Sequence, residues 1–181
     1  CRKRCDFCYF RVYTDKNAGA VQRYLDAVIE EARMLSAQAA VRGRSPEFVY
    51  FGGGTPSYLS VDQLKKLFDG LQGQIGWPDA REVTFECEPG TLQEHKLHAL
   101  KQMGVTRLSI GVENFDPDIL ERNNRAHRAK EIDRAYGFAR AAGFPQDNIC
   151  LIAGMIGDTV VTWQRCIERT LELAPDSVTI Y

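Results

Sequence analysis

Short apolar segments alternate with amphipathic segments along this chain, and this alternation constrains the fold more than any other feature of the sequence. The segment at residues 48–51 is wholly apolar and runs into three glycines, which is typical of a buried parallel strand that enters a tight loop. Before it, apolar residues recur at helical spacing over residues 21–35. After it, Ser60 and Gln63 form a capping-box pattern, which predicts the start of a second helix.

The same pattern continues to the end of the chain. It predicts further strands at residues 83–87, 107–112, 148–153 and from 177 onward, helices at 129–142 and 159–173, and helix starts at a Thr91/Glu94 capping box and at Asp116–Pro117. Nearly apolar strands separated by helices predict a parallel α/β sheet with right-handed crossovers, rather than a sandwich or a bundle. Because ligands bind at the carboxyl ends of parallel strands, we expect a site beside the glycine run, Glu86, Glu113 and Gly154.

Size and charge exclude several classes of protein. The chain has 181 residues, which fits one domain, and its 23 Lys and Arg against 24 Asp and Glu give no basic field for nucleic acid. No apolar run approaches the ~20 residues that cross a membrane, so we expect a cytoplasmic protein without a membrane partner. The chain opens on a motif residue and stops inside an apolar run. We therefore expect it to be a single domain, residues 1–181, cut from a longer protein.

Three of the six cysteines lie within eight residues. Cys1, Cys5 and Cys8 have the spacing CxxxCxxC, and the cations at residues 2–4 favour deprotonated sulfur. Iron–sulfur clusters usually take four cysteines, so three would leave one iron open to another ligand. Structural zinc wants a fourth ligand, which no second CxxC supplies, and disulfides need an oxidising compartment. The spacing favours an iron–sulfur cluster over both alternatives.

Several motifs together resemble the radical S-adenosylmethionine (SAM) superfamily. They are the cysteine loop CRKRCDFCYF with Phe7 before its last cysteine, FGGGTPS, FECEPGT, RLSIGVENF and NICLIAGMIGDT. The resemblance covers nearly the whole chain and looks closest to the oxygen-independent coproporphyrinogen III oxidase-like group, which includes haem chaperones and natural-product methyltransferases. It implies a partial barrel of the (βα)6 type, with the first strand outside this segment.

The resemblance also implies roles for individual residues. Cys1, Cys5 and Cys8 would hold the cluster. The residues that would bind SAM are Phe7, Gly52, Gly53, Gly54, Thr55, Glu86, Glu113 and Arg125. The glycines correspond to the loop beside the SAM amino group, whereas a phosphate loop would need a GK[ST] ending that is absent. No catalytic residue is expected beyond the ligands of the cluster and of SAM.

Three positions depart from the oxidase pattern. Glu113 stands in place of a glutamine, Cys150 in place of an aspartate thought to reach the cofactor ribose, and Phe10 in place of a further cysteine. We expect Cys150 to be a small buried hydrophobe, because a thiol is a weak acceptor. These differences favour a diverged relative. The cluster sequence together with VENF is similar to the methyl-transferring or cyclopropanating class C branch.

The implied reaction is reductive cleavage of SAM to a 5′-deoxyadenosyl radical, which acts on a small-molecule substrate. The methyltransferase branch would use two molecules of SAM, and the electron donor would be a flavodoxin or ferredoxin. Oxidative decarboxylation, a haem chaperone and a zinc-stabilised binding module are the alternatives. The remaining predictions place Cys87 and Cys166 in packing roles and His95 and His98 on an exposed helix face. For Tyr9 and Phe10, core packing is favoured over the alternative that they wall the site.

Overall fold

The computed structural model describes residues 1–181 and contains one five-stranded sheet. All neighbouring strands are parallel and follow one another in chain order. The strands are β1 (Phe48–Phe51), β2 (Glu82–Cys87), β3 (Arg107–Glu113), β4 (Gln146–Leu151) and β5 (Ser177–Ile180). The predicted parallel α/β sheet is confirmed, and the predicted strand ends differ from the observed ones by at most two residues.

One helix precedes β1, and the others connect successive strands. The helices are α1 (Ala18–Ser36), α2 (Val61–Gln72), α3 (Glu94–Gln102), α4 (Pro117–Arg122), α5 (Ala129–Ala142) and α6 (Val160–Leu173). The capping box of Ser60 and Gln63 is present, and Asp116 caps α4 as predicted. The predicted Thr91/Glu94 capping box is wrong, because α3 starts at Glu94 behind an uncapped Gln93. Thr91 lies in a short 3-10 turn, where its hydroxyl donates to the carbonyl of Glu88 at 2.8 Å. None of the helices is long and apolar enough to cross a membrane.

The two faces of the sheet differ in chemistry. On one face, side chains such as Ile110 and Ile149 join a core of 25 buried residues, to which the helices contribute. On the other face, Asn148 donates to the hydroxyl of Ser109 at 3.2 Å and accepts from the hydroxyl of Thr179 at 3.1 Å. Alternate residues of the strands are therefore polar and hydrogen-bonded to each other, whereas the sequence predicted strands that are apolar almost throughout.

Strand β3 is irregular at its carboxyl end. Gly111 pairs with Cys150 and Glu113 with Leu151, so β3 has one extra residue between the two pairs. Glu113 has a left-handed backbone with a φ of 67°, which residues with a Cβ rarely adopt. Bulges change the direction of side chains beside binding sites. Here the bulge places the Glu113 carboxylate 3.2 Å from Arg125, at the edge where the strands end.

Candidate functional site

The three cysteines of the N-terminal loop line a common pocket. Cys1, Cys5 and Cys8 contribute to it together with Thr55 and Arg125. All three thiols are free, and Cys1 Sγ lies 3.1 Å from the Thr55 hydroxyl. The loop turns back on itself where the Cys8 N–H donates to the Cys5 carbonyl at 3.1 Å. The structure therefore brings together the three sulfurs that the spacing predicts as ligands.

The surroundings of these sulfurs suit an iron–sulfur cluster. No three His, Cys, Asp or Glu side chains are grouped closely enough to hold one metal ion, but a cube takes each cysteine at a separate iron. Arg2, Lys3 and Phe7 line the pocket, and Arg125 Nη1 lies 3.6 Å from Cys5 Sγ. Positive charge stabilises thiolates, which are the form that binds metal. The residues present therefore fit a cluster held by three cysteines.

The glycine run after β1 lies beside the cysteine loop. Gly53 and Gly54 have φ angles of 74° and 64°, a region that only glycine adopts freely. Gly52 is required for another reason, because a Cβ there would lie 2.4 Å from Cε1 of Tyr50. Gly54 and Thr55 line the cysteine pocket. The predicted cofactor loop and the predicted cluster loop are therefore neighbours.

Glu86, near the end of β2, is bound to the same glycine loop. One carboxylate oxygen accepts from the Gly53 N–H at 3.0 Å, and the other accepts from the Tyr50 hydroxyl at 2.6 Å. Burial and the hydrogen bond to Glu86 raise the pKa of Tyr50, so this hydroxyl keeps its proton and donates. Tyr50 was not predicted as a site residue, because within an apolar strand a tyrosine has the pattern of a core residue. Its side chain instead lies on the polar face of the sheet.

Glu113 and Arg125 are paired and buried. Their closest atoms are 3.2 Å apart, and each side chain is 12% exposed. Arg125 Nη2 also donates to the carbonyl of Gly111 at 2.6 Å. A Cβ at Gly111 would lie 2.7 Å from Glu113 Oε1 and 2.9 Å from Arg125 Nη2, so the pair depends on a glycine at this position. Burial raises the pKa of Glu113 and outweighs the charge of Arg125, which acts in the other direction.

A second buried carboxylate, Glu88, was not singled out from the sequence. Arg2 Nη2 lies 3.0 Å from both of its oxygens, and His127 Nδ1 lies 3.3 Å from one of them. Burial opposes ionisation of Glu88, but the hydrogen bond with His127 and the charge and hydrogen bonds of Arg2 outweigh it, and the pKa is lowered to about 2. Glu88 therefore ties the cysteine loop to the end of β2. The FECEPGT motif contains Glu88, yet nothing in one sequence pairs it with a residue 86 positions away.

Cys150 lies on the polar face of the sheet. It is half-buried, and its Sγ lies 3.3 Å from both the Ser109 hydroxyl and the Asn148 amide nitrogen. Burial raises the pKa of this thiol, although the hydrogen bond with Ser109 lowers it. The expectation of a hydrophobic packing residue is wrong, because the neighbours of the sulfur are polar.

The other predicted placements divide into two groups. Four residues lie where they were expected, two in the core and two on an exposed helix surface, namely Cys87, Cys166, His95 and His98. Tyr9 and Phe10 were expected to pack in the core, and this is wrong. They stack on each other with ring centroids 4.5 Å apart, and Tyr9 is 89% exposed.

A parallel sheet whose strand ends adjoin a three-cysteine pocket and a glycine loop fits a protein that binds an iron–sulfur cluster. Comparison with known proteins assigns the family. The Radical SAM superfamily profile matches residues 1–170, and the chain belongs to this superfamily. Members of the superfamily use a [4Fe-4S] cluster and SAM.

Individual relatives show which members of the superfamily this chain resembles. The chain is 33% identical over 183 residues to heme chaperone HemW of Bacillus subtilis, a match that covers 100% of this chain and 47% of that protein. It is 26% identical over 181 residues to the oxygen-independent coproporphyrinogen III oxidase of Synechocystis, with 100% and 39% covered. The structure of coproporphyrinogen III oxidase HemN from Escherichia coli, a radical SAM enzyme, matches with a TM-score of 0.88 at 30% identity, over 100% of this chain and 42% of that one. The chain thus spans less than half the length of each of these relatives.

Proposed function

We propose that the protein containing this chain binds a [4Fe-4S] cluster through Cys1, Cys5 and Cys8 and uses it to cleave SAM, with an organic small molecule as substrate. The observation that carries the proposal is the pocket that the three cysteines share with Thr55 and Arg125. When bound, the cluster and SAM would supply the electron transfer and the radical chemistry, while Cys1, Cys5 and Cys8 would hold the cluster in place. Three cysteine ligands leave one iron for SAM.

Glu86 suits the amino group of SAM. Tyr50 and Gly53 hold its carboxylate in a fixed orientation, and each oxygen retains a lone pair for a further donor. A Cβ at Gly53 or Gly54 would meet nothing within 4 Å, so the loop leaves open space beside this carboxylate. We therefore assign SAM binding to Glu86 and to residues 52–55.

Arg125 and Glu113 suit the remaining polar groups of SAM. A guanidinium binds a carboxylate through two parallel hydrogen bonds, and a carboxylate accepts hydrogen bonds from ribose hydroxyls. Because Glu113 and Arg125 contact each other, a ligand that binds to either side chain must replace part of the contact between them. Phe7 lines the same pocket and would exclude water from it.

The reaction we assign to the substrate is transfer of a methyl or methylene group, in the class C branch with two molecules of SAM. Its support is the departure from the oxidase pattern at Glu113, at Cys150 and at Phe10, which stands where the oxidase has a further cysteine. Oxidative decarboxylation of the oxidase type is the competing reaction, and the 30% identity to HemN favours it.

Haem handling is the second candidate function. The 33% identity to heme chaperone HemW supports it. A chaperone of this kind would bind haem in a stoichiometric complex, whereas a methyltransferase or an oxidase would turn over its substrate.

The electron donor and the compartment are also proposals. A flavodoxin or ferredoxin would deliver the electron, and the cytoplasm would be the location. All six cysteines are free in the structure, which is consistent with a reducing compartment.

An anaerobic assay of the full-length protein tests the first proposal. Reconstituted protein with dithionite should release 5′-deoxyadenosine and methionine from SAM, measured by mass spectrometry. Cys5→Ala should abolish the product, while Cys166→Ala, which removes a buried core thiol, should retain it. A wild type that binds no cluster, or a Cys5→Ala variant that still cleaves SAM, would refute the ligand assignment.

The products and the bound groups separate the remaining functions. S-adenosylhomocysteine reports methyl transfer, and its absence during SAM cleavage favours the oxidase-type reaction. Stoichiometric haem binding without SAM cleavage identifies the chaperone. Colourless protein that contains zinc in place of iron identifies the zinc-stabilised module.

A further inference from the structure

His127 is a fully buried histidine beside the cysteine pocket. It lies between α4 and α5, and its side chain is 0% exposed, in contrast to His95 and His98 on the surface of α3. A buried imidazole needs partners for both ring nitrogens, because an unpaired polar group in the interior costs about 1–3 kcal/mol. No motif in the sequence indicates a place for His127 in the site.

The partners of His127 define its hydrogen-bonding state. Nε2 lies 3.2 Å from the carbonyl of Val112, which can only accept, so Nε2 carries a proton. Nδ1 lies 3.2 Å from Arg125 Nε, which can only donate. Burial lowers the pKa of His127 and outweighs the hydrogen bond and charge of Glu88, which raise it. This favours the neutral ring, whose Nδ1 lone pair accepts from Arg125. Oε1 of Glu88 also lies 3.3 Å from Nδ1, but this oxygen accepts a hydrogen bond from Arg2.

The contact with His127 completes the surroundings of the Arg125 guanidinium. Nη1 is the nitrogen next to Cys5 Sγ, at 3.6 Å, and Nη2 donates to the Gly111 carbonyl at 2.6 Å. Nε is held by His127. Because the guanidinium is planar and rigid, a partner on Nε fixes the position of Nη1 at the other end of the fork.

We propose that His127 is a positioning residue that holds Arg125 against Cys5 and thereby sets the reduction potential of the bound cluster. The inference rests on the proposed function, in which Cys5 is a cluster ligand. Hydrogen bonds to the sulfurs of an iron–sulfur cluster and nearby positive charge stabilise the reduced state, which carries one more negative charge. His127 therefore acts on the potential through Arg125 and does not touch a ligand itself.

The test is an EPR-monitored redox titration of the reconstituted full-length protein without SAM, so that binding of SAM to Arg125 does not contribute. His127→Ala should give a more negative midpoint potential at an unchanged iron content. Arg125→Gln should do the same. In the Arg125→Gln background, His127→Ala should have no further effect, since the group through which it acts is gone. His95→Ala, on the exposed surface of α3, is the control and should leave the potential unchanged.

A conservative pair of variants keeps the test decisive if His127→Ala does not fold. The amide oxygen of Asn reaches the position of Nδ1, whereas that of Gln reaches further, towards Nε2. His127→Asn should therefore keep the wild-type potential, and His127→Gln should shift it to more negative values. Equal potentials for these two variants, or a His127→Ala shift that persists in the Arg125→Gln background, would overturn the inference. A wild type that takes up no cluster would overturn the proposed function as well.

Discussion

Gly90→Ala should break the contact between Arg2 of the cysteine loop and Glu88 at the end of β2, although neither of these two residues is substituted. A Cβ at this position would lie 2.0 Å from Arg2 Nη2 and 2.9 Å from Arg2 Cζ, so the guanidinium must leave Glu88. The φ of Gly90 is not positive, and the backbone therefore accepts alanine. Hydrogen bonds to charged groups contribute about 1.5–3 kcal/mol when buried. Because the Arg2 side chain is 36% exposed, water replaces part of the contact, and we expect a net loss of about 1 kcal/mol.

The size of this effect should depend on Arg2. Alanine in place of glycine also restricts the unfolded chain, which stabilises a protein by about 0.4–1 kcal/mol where the methyl group fits. With Arg2→Ala the obstructing guanidinium is gone and only Glu88 Oε1, 3.1 Å from the added Cβ, remains close, so Gly90→Ala should destabilise less than it does in the wild type. Urea unfolding of the four proteins measures both effects, and Gly137→Ala, whose Cβ would meet nothing within 4 Å, should stabilise in both backgrounds. Equal destabilisation by Gly90→Ala with and without Arg2 would refute the steric argument.

Two further substitutions test other contacts. Gly111→Ala should push apart Glu113 and Arg125, whose atoms lie 2.7 and 2.9 Å from the added Cβ, and weaken SAM binding about tenfold or more; unchanged affinity in equilibrium dialysis would contradict the assignment of this pair. Tyr136→Phe should lower stability by about 1–2 kcal/mol, because it removes the 3.1 Å hydrogen bond to the buried Asp147, and urea unfolding with an unchanged slope would measure it.

The fold could be predicted because its signals are local. Apolar spacing and the turn residues between segments gave all five strands and a helix at Ala129–Ala142 with its observed ends. The Thr91/Glu94 error has a tertiary cause, since the Thr91 hydroxyl is committed to the Glu88 carbonyl and to Ser57 at 2.6 Å. The polar face of the sheet was missed for a similar reason. A single Ser109 within β3 does not disturb an apolar pattern, and its role appears only when neighbouring strands align polar residues beside it.

The site could be predicted only in part, because several of its contacts join residues that are far apart in the chain. Cys1, Cys5 and Cys8 lie close together in the chain, so spacing alone carries the signal. Glu88 and His127 are 39 positions apart by residue number and meet only because β2 and β3 are neighbours in the sheet. Neither residue stands in a spacing that indicates chemistry, and burial of both side chains is a property of the folded chain. Periodicity and local motifs in the sequence therefore do not predict such contacts.

Arg125 links the proposed cluster site with the proposed SAM site, which separate motifs of the sequence indicate. Its guanidinium lies 3.6 Å from Cys5 Sγ and 3.2 Å from Glu113, so one rigid group contacts both a proposed cluster ligand and a proposed SAM-binding residue. A ligand carboxylate that draws Arg125 away from Cys5 must lower the reduction potential of the cluster. Because coupling between two binding equilibria is reciprocal, reduction of the cluster must then weaken binding of that carboxylate by the same factor. The two effects have one cause, and substitution of Arg125 should remove both together.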